Sequence, residues 1–298
     1  MRGESCYACQ MPQQAQDIDF DFHCHSTVSD GLLTPDEVVR RASNNGVSLL
    51  ALTDHDDLSG YNQARRAAHT CGVTLICGVE ISAEWEGASV HVVGLDVDPQ
   101  NEALNAGLYA IRVGRYDRAK RMAESLERLG LGAVFEGVLK LADNPLLISR
   151  AHFARYLVNV GWCKNVSIAF RDYLVPGKPG YVEHRWASLE TALGWIHNAG
   201  GIAVLAHPGR YHFSREQVKR LYQAFLQGGG KAIEVESGAH SPEQARRYTQ
   251  VARRYGLHAS RGSDFHGPRE GCCDLGALPP LASDLRPVWQ LLSGEKQN

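Results

Sequence analysis

The sequence has no apolar run close to the roughly 18 residues that a membrane-spanning helix needs, and we find no internal repeats in it. Its formal net charge is only −2, which excludes a strongly basic nucleic-acid coat and still permits a local basic pocket for a phosphate. A nucleic-acid binding protein without chemistry is disfavoured, because such binding depends on neutralising many phosphates. No Gly-x-Ser-x-Gly nucleophile elbow is present, so a serine hydrolase of that type is not indicated.

A disulfide framework is also lacking. The eight cysteines show no such spacing, and 298 residues can bury a core without cross-links. We therefore expect a protein of the reducing cytoplasm. We expect residues 1–17 to be a disordered leader, since Met1 to Gln16 contains no apolar stretch of a signal peptide. Within it, Cys6 and Cys9 form a lone Cys-x-x-Cys whose role stays open.

The rest of the chain alternates strand-like and helical segments. Short apolar runs such as Val47 to Leu52 and Ile202 to Ala206 are typical of buried parallel strands. Thr34, Pro35 and Glu37 form a capping box that predicts a helix start. An alternation with about seven strands predicts an α/β fold, either a barrel or an open parallel sheet.

One long stretch interrupts this alternation. From Asn101 to about Gly161 the sequence is mostly helical, and the loop Pro176 to Gly180 closes it. We therefore predict a discontinuous α/β body over 18–100 and 183–292. The helical insertion over 101–182 is expected to contribute substrate contacts.

Histidine is abundant, with 13 copies, and it is the commonest metal ligand in proteins. Nearly every candidate ligand follows a predicted strand, and the carboxyl ends of parallel strands meet at one edge. Each motif alone has an ordinary explanation as a polar turn, and His91, inside a strand pattern, as a core histidine. Together they exceed the four ligands of a structural zinc site and predict two or three ions. These candidates are His23, His25, Asp54, His55, Glu80, His207, Asp264 and His266.

The order and context of these motifs resemble the PHP (polymerase and histidinol phosphatase) family. The resemblance covers residues 19 to about 100 and 184 to 280, and it implies a distorted (β/α)7 barrel with a trinuclear metal site. The matching segments are Asp21-Phe22-His23-Cys24-His25, Asp30, Thr53-Asp54-His55-Asp56, Gly78-Val79-Glu80, His91, Ala206-His207-Pro208 and Gly262-Ser263-Asp264-Phe265-His266.

The resemblance also implies a role for each ligand. Glu80 would bridge the first and second metals, and Asp30 falls where some relatives carry histidine. The implied ligand sets are His23, His25, Glu80 and Asp264 for the first metal, Glu80, His91 and His207 for the second, and Asp30, His55 and His266 for the third. A ligand set of nitrogen and oxygen atoms favours manganese, with iron, zinc or magnesium as alternatives.

Within the family, the sequence is most similar to the branch of 3′,5′-nucleoside bisphosphate phosphatases and short-RNA 5′→3′ exoribonucleases. That branch carries an insertion with the segment Ile148 to Arg155 and a loop with Gly177-Lys178-Pro179, and both are present here. The resemblance implies a nucleotide or a short RNA as the partner, and it implies no stable protein partner. The lack of a long apolar run leads us to expect no membrane partner.

The residues suggest a hydrolytic mechanism. We expect the nucleophile to be a metal-bound water held by Glu80, His207 and Asp264, because cations lower the pKa of water. The acid that protonates the leaving group stays open among His240, Asp56 and a water. Cys24 should point away from its two histidine neighbours, since alternate residues of a strand face opposite sides.

Specificity should come mainly from the insertion. Arg150 could grip a phosphate with its planar guanidinium, and Lys178 could add a point charge. Arg155 is expected on a solvated helix face. The full predicted substrate set is Ser149, Arg150, His152, Lys178 and His240.

Two other functions stay open. A phosphatase for a small amino-alcohol phosphate such as histidinol phosphate would show no preference for a nucleoside. A metal-binding regulatory module would require a broken ligand set, and every ligand position is filled.

Overall fold

The computed structural model describes residues 19–270 and 273–292. The predicted leader, with Cys6 and Cys9, lies outside the described residues. Among the helices that are described, none has the length and apolar character required to cross a bilayer.

One mixed sheet forms the centre of the molecule. Its order is β1-β2-β3-β4-β6-β7-β8, and β5 pairs with β3 away from this path. The strands are β1 Phe20–Asp21, β2 Leu49–Leu52, β3 Thr74–Trp85, β4 Ala88–Leu95, β5 Ala187–Ser188, β6 Ile202–Leu205, β7 Ala232–Ser237 and β8 His258–Gly262.

The two ends of the sheet approach each other and nearly close a barrel. The amide of Phe22 donates to the carbonyl of Arg261 across 2.9 Å, and the amide of Asp264 donates to the carbonyl of His23 across 2.8 Å. These bonds join the segments that leave β1 and β8. The predicted α/β class with a distorted barrel is thereby confirmed.

One strand of the sheet departs from parallel pairing. β4 runs antiparallel to both β3 and β6, while the other neighbours pair in parallel. β3 and β4 form a hairpin whose turn residues, Glu86 and Gly87, have φ values of 47° and 76°. Such a two-residue turn matches the twist of an antiparallel pair.

Helices cover the sheet and extend beyond it. The predicted capping box is present at the first of them, where the backbone amide of Thr34 donates to the Glu37 carboxylate across 2.8 Å. The helices are α1 Pro35–Asn44, α2 Tyr61–Cys71, α3 Glu102–Glu127, α4 Val134–Leu139, α5 Arg150–Asn159, α6 Val166–Ala169, α7 Leu189–Asn198, α8 Arg215–Gln227 and α9 Pro242–Tyr255.

The long helix α3 connects two hydrophobic clusters. Leu104 and Leu108 in its first half pack into the core around the sheet. Met122 and Leu126 in its second half pack with α4, α5 and α6 in a separate core. The helical character predicted for 101–161 is confirmed, and the division into domains stays a prediction.

Candidate metal centre

Four loops bring the predicted ligands to one rim of the barrel. His23 and His25 follow β1, His55 follows β2, and His207 follows β6. Asp264 follows β8, and its carboxylate lies 3.2 Å from Nε2 of His25 although the two residues are far apart in sequence. These residues are buried or nearly so. The structure therefore gathers them as the strand-end argument requires.

Glu80 lies inside β3 rather than after it, which corrects the sequence-based prediction. The strand continues past Gly78 because the downstream residues pair with the antiparallel β4. Val79, Ile81 and Ala83 alternate with Glu80 and Ser82, and this period of two was a signal for a longer strand. Ring nitrogens of five histidines lie 2.7–3.3 Å from the Glu80 carboxylate, namely His23, His25, His55, His91 and His207.

Among the residues that the structure describes, three groups of side chains have ligand atoms within 4.8 Å of one another. They overlap at His25, His55 and Glu80, so they form one continuous cluster. The groups are His23, His25, Glu80 and Asp264; His25, Asp30, His55 and His266; and His55, Glu80 and His91. His207 adds Nε2 at 2.9 Å from Oε1 of Glu80.

The polar atoms of this cluster fit divalent cations. Seven buried side-chain atoms lack a hydrogen-bond partner within the described ranges, and all seven belong to predicted ligands. An unsatisfied buried polar atom is costly, so it calls for an explanation such as an ion. The atoms are Nε2 of His23, Nε2 of His25, Oδ1 of Asp30, Nδ1 of His55, Oε2 of Glu80, Nδ1 of His207 and Oδ2 of Asp264.

The charges of the cluster also favour the binding of cations. Burial lowers the pKa of His25, but the carboxylates of Asp264 and Glu80 outweigh it and raise this pKa to about 10. Burial raises the pKa of Glu80, but the surrounding histidines hold it well below its usual value. The carboxylates therefore stay ionised and attract positive charge.

Asp54 follows β2 yet does not join the ligand groups. Its carboxylate accepts from the amide of Ser26 across 2.7 Å and from the hydroxyl of Ser29 across 2.6 Å. These bonds hold the loop that carries His25 and Asp30. Asp54 thus supports the shape of the site from behind it.

The two side chains considered as general acids are both engaged elsewhere. Asp56 accepts from the amide of Ser82 across 2.8 Å and from Nε of Arg115 across 2.7 Å. His240 donates from Nδ1 to the carbonyl of Val235 and accepts at Nε2 from the amide of Gly209. Cys24 packs away from the cluster, as expected, with its thiol 3.3 Å from the carbonyl of Ala51.

The substrate contacts predicted between Ser149 and Lys178 lie in different environments. Ser149 is the N-cap of α5, and its amide donates to Nδ1 of His152 across 3.1 Å. Arg150 is partly buried beside Phe170, with its guanidinium carbon 6.0 Å from the ring centroid. Lys178 is exposed on its loop.

The expectation of a solvated Arg155 was wrong. This side chain is buried, pairs with the carboxylate of Glu270, and donates from Nη2 to the carbonyl of Asp30 across 2.7 Å. Its helix packs over the loop that carries Asp30. Helix periodicity could not show this, since the covering segment lies more than 100 residues downstream.

The sequence reasoning missed two arginines, Arg115 and Arg118, that lie near Arg150. Arg118 on α3 is buried, and its pKa is lowered to about 9 by burial and by the nearby Arg150 and Arg115. Neither Arg118 nor Arg150 has an ion pair within the described part of the chain. Arg210, which follows β6, places Nη2 at 2.7 Å from Oδ2 of Asp264.

Two proteins with named activities are similar to this chain in sequence over nearly their whole length. A 3′,5′-nucleoside bisphosphate phosphatase from Chromobacterium violaceum is 50% identical over 274 residues, which cover 92% of this chain and 96% of that protein. A 5′-3′ exoribonuclease from Haemophilus influenzae is 41% identical over 271 residues, which cover 91% of this chain and 98% of that protein.

A solved structure and a family model also match this chain. An amidohydrolase from Chromobacterium violaceum, solved with bound sulfate and no metal, has a TM-score of 0.89 at 50% identity. The similarity covers 92% of this chain and 95% of that chain. The family model described as the PHP domain matches residues 21–238. With this match, and with relatives similar over nearly their whole length, the chain belongs to the PHP domain family.

Proposed function

We propose that this protein is a metal-dependent phosphoesterase that hydrolyses a phosphate ester of a nucleotide. The substrate is a 3′,5′-nucleoside bisphosphate, a short 5′-phosphorylated RNA, or both. The observation that carries this proposal is the carboxylate-histidine cluster with two arginines near it: Arg150, which interacts electrostatically with Asp30, and its neighbour Arg118. Neither arginine pairs with a carboxylate of the described residues. The named activities of the similar phosphatase and exoribonuclease support the substrate class.

Three divalent ions are proposed for the cluster, and manganese is the first choice among manganese, iron, zinc and magnesium. The mixed nitrogen and oxygen donors support these metals over soft ones. Three overlapping ligand groups support the number. When bound, such ions lower the pKa of water and neutralise charge on a transferring phosphoryl group.

Residues of this chain would orient the attacking water and bind the substrate. Glu80, His207 and Asp264 would orient the attacking water, and Arg118 and Arg150 would anchor the second phosphate. Water adds to phosphorus, the ester P–O bond breaks, and the alcohol leaves with a proton. Since Asp56 and His240 are engaged by other groups, a water is the proposed proton donor.

The anchoring role of Arg150 predicts different effects on substrates with one phosphate and with two. Replacing Arg150 with Ala should raise KM for 3′,5′-adenosine bisphosphate far more than KM for a monophosphate ester, because only the bisphosphate has a second phosphate to bind. Equal effects on both substrates would reject the anchor.

The substrate itself is tested with the manganese-loaded wild type. We would compare kcat/KM for 3′,5′-adenosine bisphosphate, a 5′-phosphorylated trinucleotide and histidinol phosphate. A higher value for either nucleotide supports the proposal. A preference for histidinol phosphate, or no turnover of any ester, contradicts it. A cytoplasmic location is also proposed, and it rests on the cysteine pattern alone.

A further inference from the structure

A buried glutamate that the sequence analysis did not consider lies directly behind the metal centre. Glu234 is on β7 and is 1% exposed. Its Oε1 lies 2.5 Å from Nδ1 of His23, and its Oε2 lies 2.5 Å from the backbone nitrogen of His207. A single carboxylate thus contacts two of the predicted ligand residues, which follow different strands.

The first contact fixes the chemistry of the His23 ring. Because Glu234 is an acceptor, Nδ1 of His23 must carry the proton and donate it. The lone pair of the neutral ring is then on Nε2, which lies 3.2 Å from Oε2 of Glu80 and 3.5 Å from Oδ1 of Asp264. A carboxylate behind a histidine in this way sets its tautomer and raises its basicity as a ligand.

The second contact fixes the backbone of His207. This residue has φ 24° and ψ 57°, an unfavourable conformation for a residue with a side chain. Such strain persists only where several contacts determine the conformation. The bond from the His207 amide to Glu234 is one of them, and the conformation brings Nε2 of His207 to 2.9 Å from Oε1 of Glu80.

The strand itself distinguishes Glu234 from its neighbour. The pairing of β7 with β8 shifts between Glu234 and Glu236, so Val235 is an extra residue. A bulge of this kind redirects side chains. Glu236 is only half-buried, and its carboxylate makes no hydrogen bond within the described residues.

We infer that Glu234 is a positioning residue for the metal centre. It holds the His23 ring in the Nδ1-protonated form and the His207 backbone in its strained form, so that both side chains face the ion cluster. This inference rests on the metal centre of the proposed function. It adds a residue whose charge tunes metal affinity without contacting an ion or the substrate.

The experiment compares Glu234→Gln with Glu236→Gln, a matched loss of charge two residues along the same strand. Each protein is stripped of metal, titrated with Mn²⁺ by calorimetry, and melted without metal. We expect Mn²⁺ affinity to fall roughly 10- to 100-fold in Glu234→Gln and to stay at the wild-type value in Glu236→Gln. The melting temperature of the metal-free Glu234→Gln protein should stay close to that of the metal-free wild type.

A second measurement needs no variant. Long-range ¹H–¹⁵N spectra of the metal-free wild type should show His23 protonated at Nδ1, with a strongly downfield proton. A His23 ring without a proton on Nδ1, or equal Mn²⁺ affinity in the wild type and Glu234→Gln, would overturn the positioning role alone. A wild type that binds no Mn²⁺ would overturn the proposed function as well.

Discussion

Nε of Arg115 on α3 donates to Oδ2 of Asp56 across 2.7 Å, and its Nη2 donates to the hydroxyl of Ser82 across 2.6 Å. Asp56 directly follows His55, and Ser82 lies two residues after Glu80, on the same face of β3. One arginine of α3 therefore contacts both segments that carry these ligands. Its side chain links α3 to the segments that form the metal centre.

Replacing Arg115 with Leu should lower the free energy of unfolding by about 3–5 kcal/mol, because the buried Asp56 carboxylate loses its charged partner. Urea denaturation of the metal-free protein measures this. Arg121→Leu, an exposed arginine on the same helix, should change stability by less than about 0.5 kcal/mol. Similar values for the two variants would show that the Arg115 pair contributes little.

The charge of Arg118 should destabilise the folded protein while it strengthens binding of the substrate's second phosphate. Its guanidinium is buried near Arg150 and Arg115, and this environment lowers its pKa to about 9. Arg118→Met removes the charge and should leave unfolding free energy unchanged or raise it by about 1 kcal/mol. At the same time KM for 3′,5′-adenosine bisphosphate should rise by about tenfold. A destabilised protein with an unchanged KM would contradict this expectation.

Acid should weaken the start of α5 through His152. Burial lowers the pKa of this histidine to about 4, and Nδ1 accepts from the Ser149 amide. The unfolded chain binds the proton near pH 6.5 and the native protein only near 4. Stability is therefore unaffected above pH 6.5 and falls as the pH drops from about 6.5 to 4, by up to about 3 kcal/mol.

The variant His152→Gln isolates this effect, because glutamine completes the same capping box and does not titrate. Urea unfolding of both metal-free proteins at pH 7.5 and pH 5 gives the comparison. The wild type should lose about 2 kcal/mol more than His152→Gln on acidification. Identical losses would mean that His152 does not titrate as stated.

Tyr211 should stabilise the backbone around His91. Its hydroxyl donates to the carbonyl of Ala206 across 2.8 Å and accepts from the His91 amide across 2.9 Å. Tyr211→Phe leaves both groups without this partner and should cost about 1–3 kcal/mol in thermal unfolding. Tyr109→Phe, at an exposed tyrosine, is the control and should have no measurable effect.

Local patterns predicted much of the fold. The capping box at Thr34 begins α1, and the apolar run near Leu49 forms a buried strand, because both depend on contacts between near neighbours. The strand that contains Glu80 was predicted to end before this residue, but it continues to Trp85. Its second half is held by the pairing with β4, which a search for parallel strands does not anticipate.

The sequence by itself determined which ligand atoms this protein offers. Imidazoles and carboxylates stand after short apolar runs, and this order already predicts that residues as distant as His23 and Asp264 converge. Only the tertiary structure decided which charges are paired. Asp56 and Arg155 form ion pairs, and Glu234 lies behind His23. Arg118 has no ion pair with any residue that the structure describes. The reason is physical, since burial and pairing depend on segments that meet in space, and no local spacing encodes them.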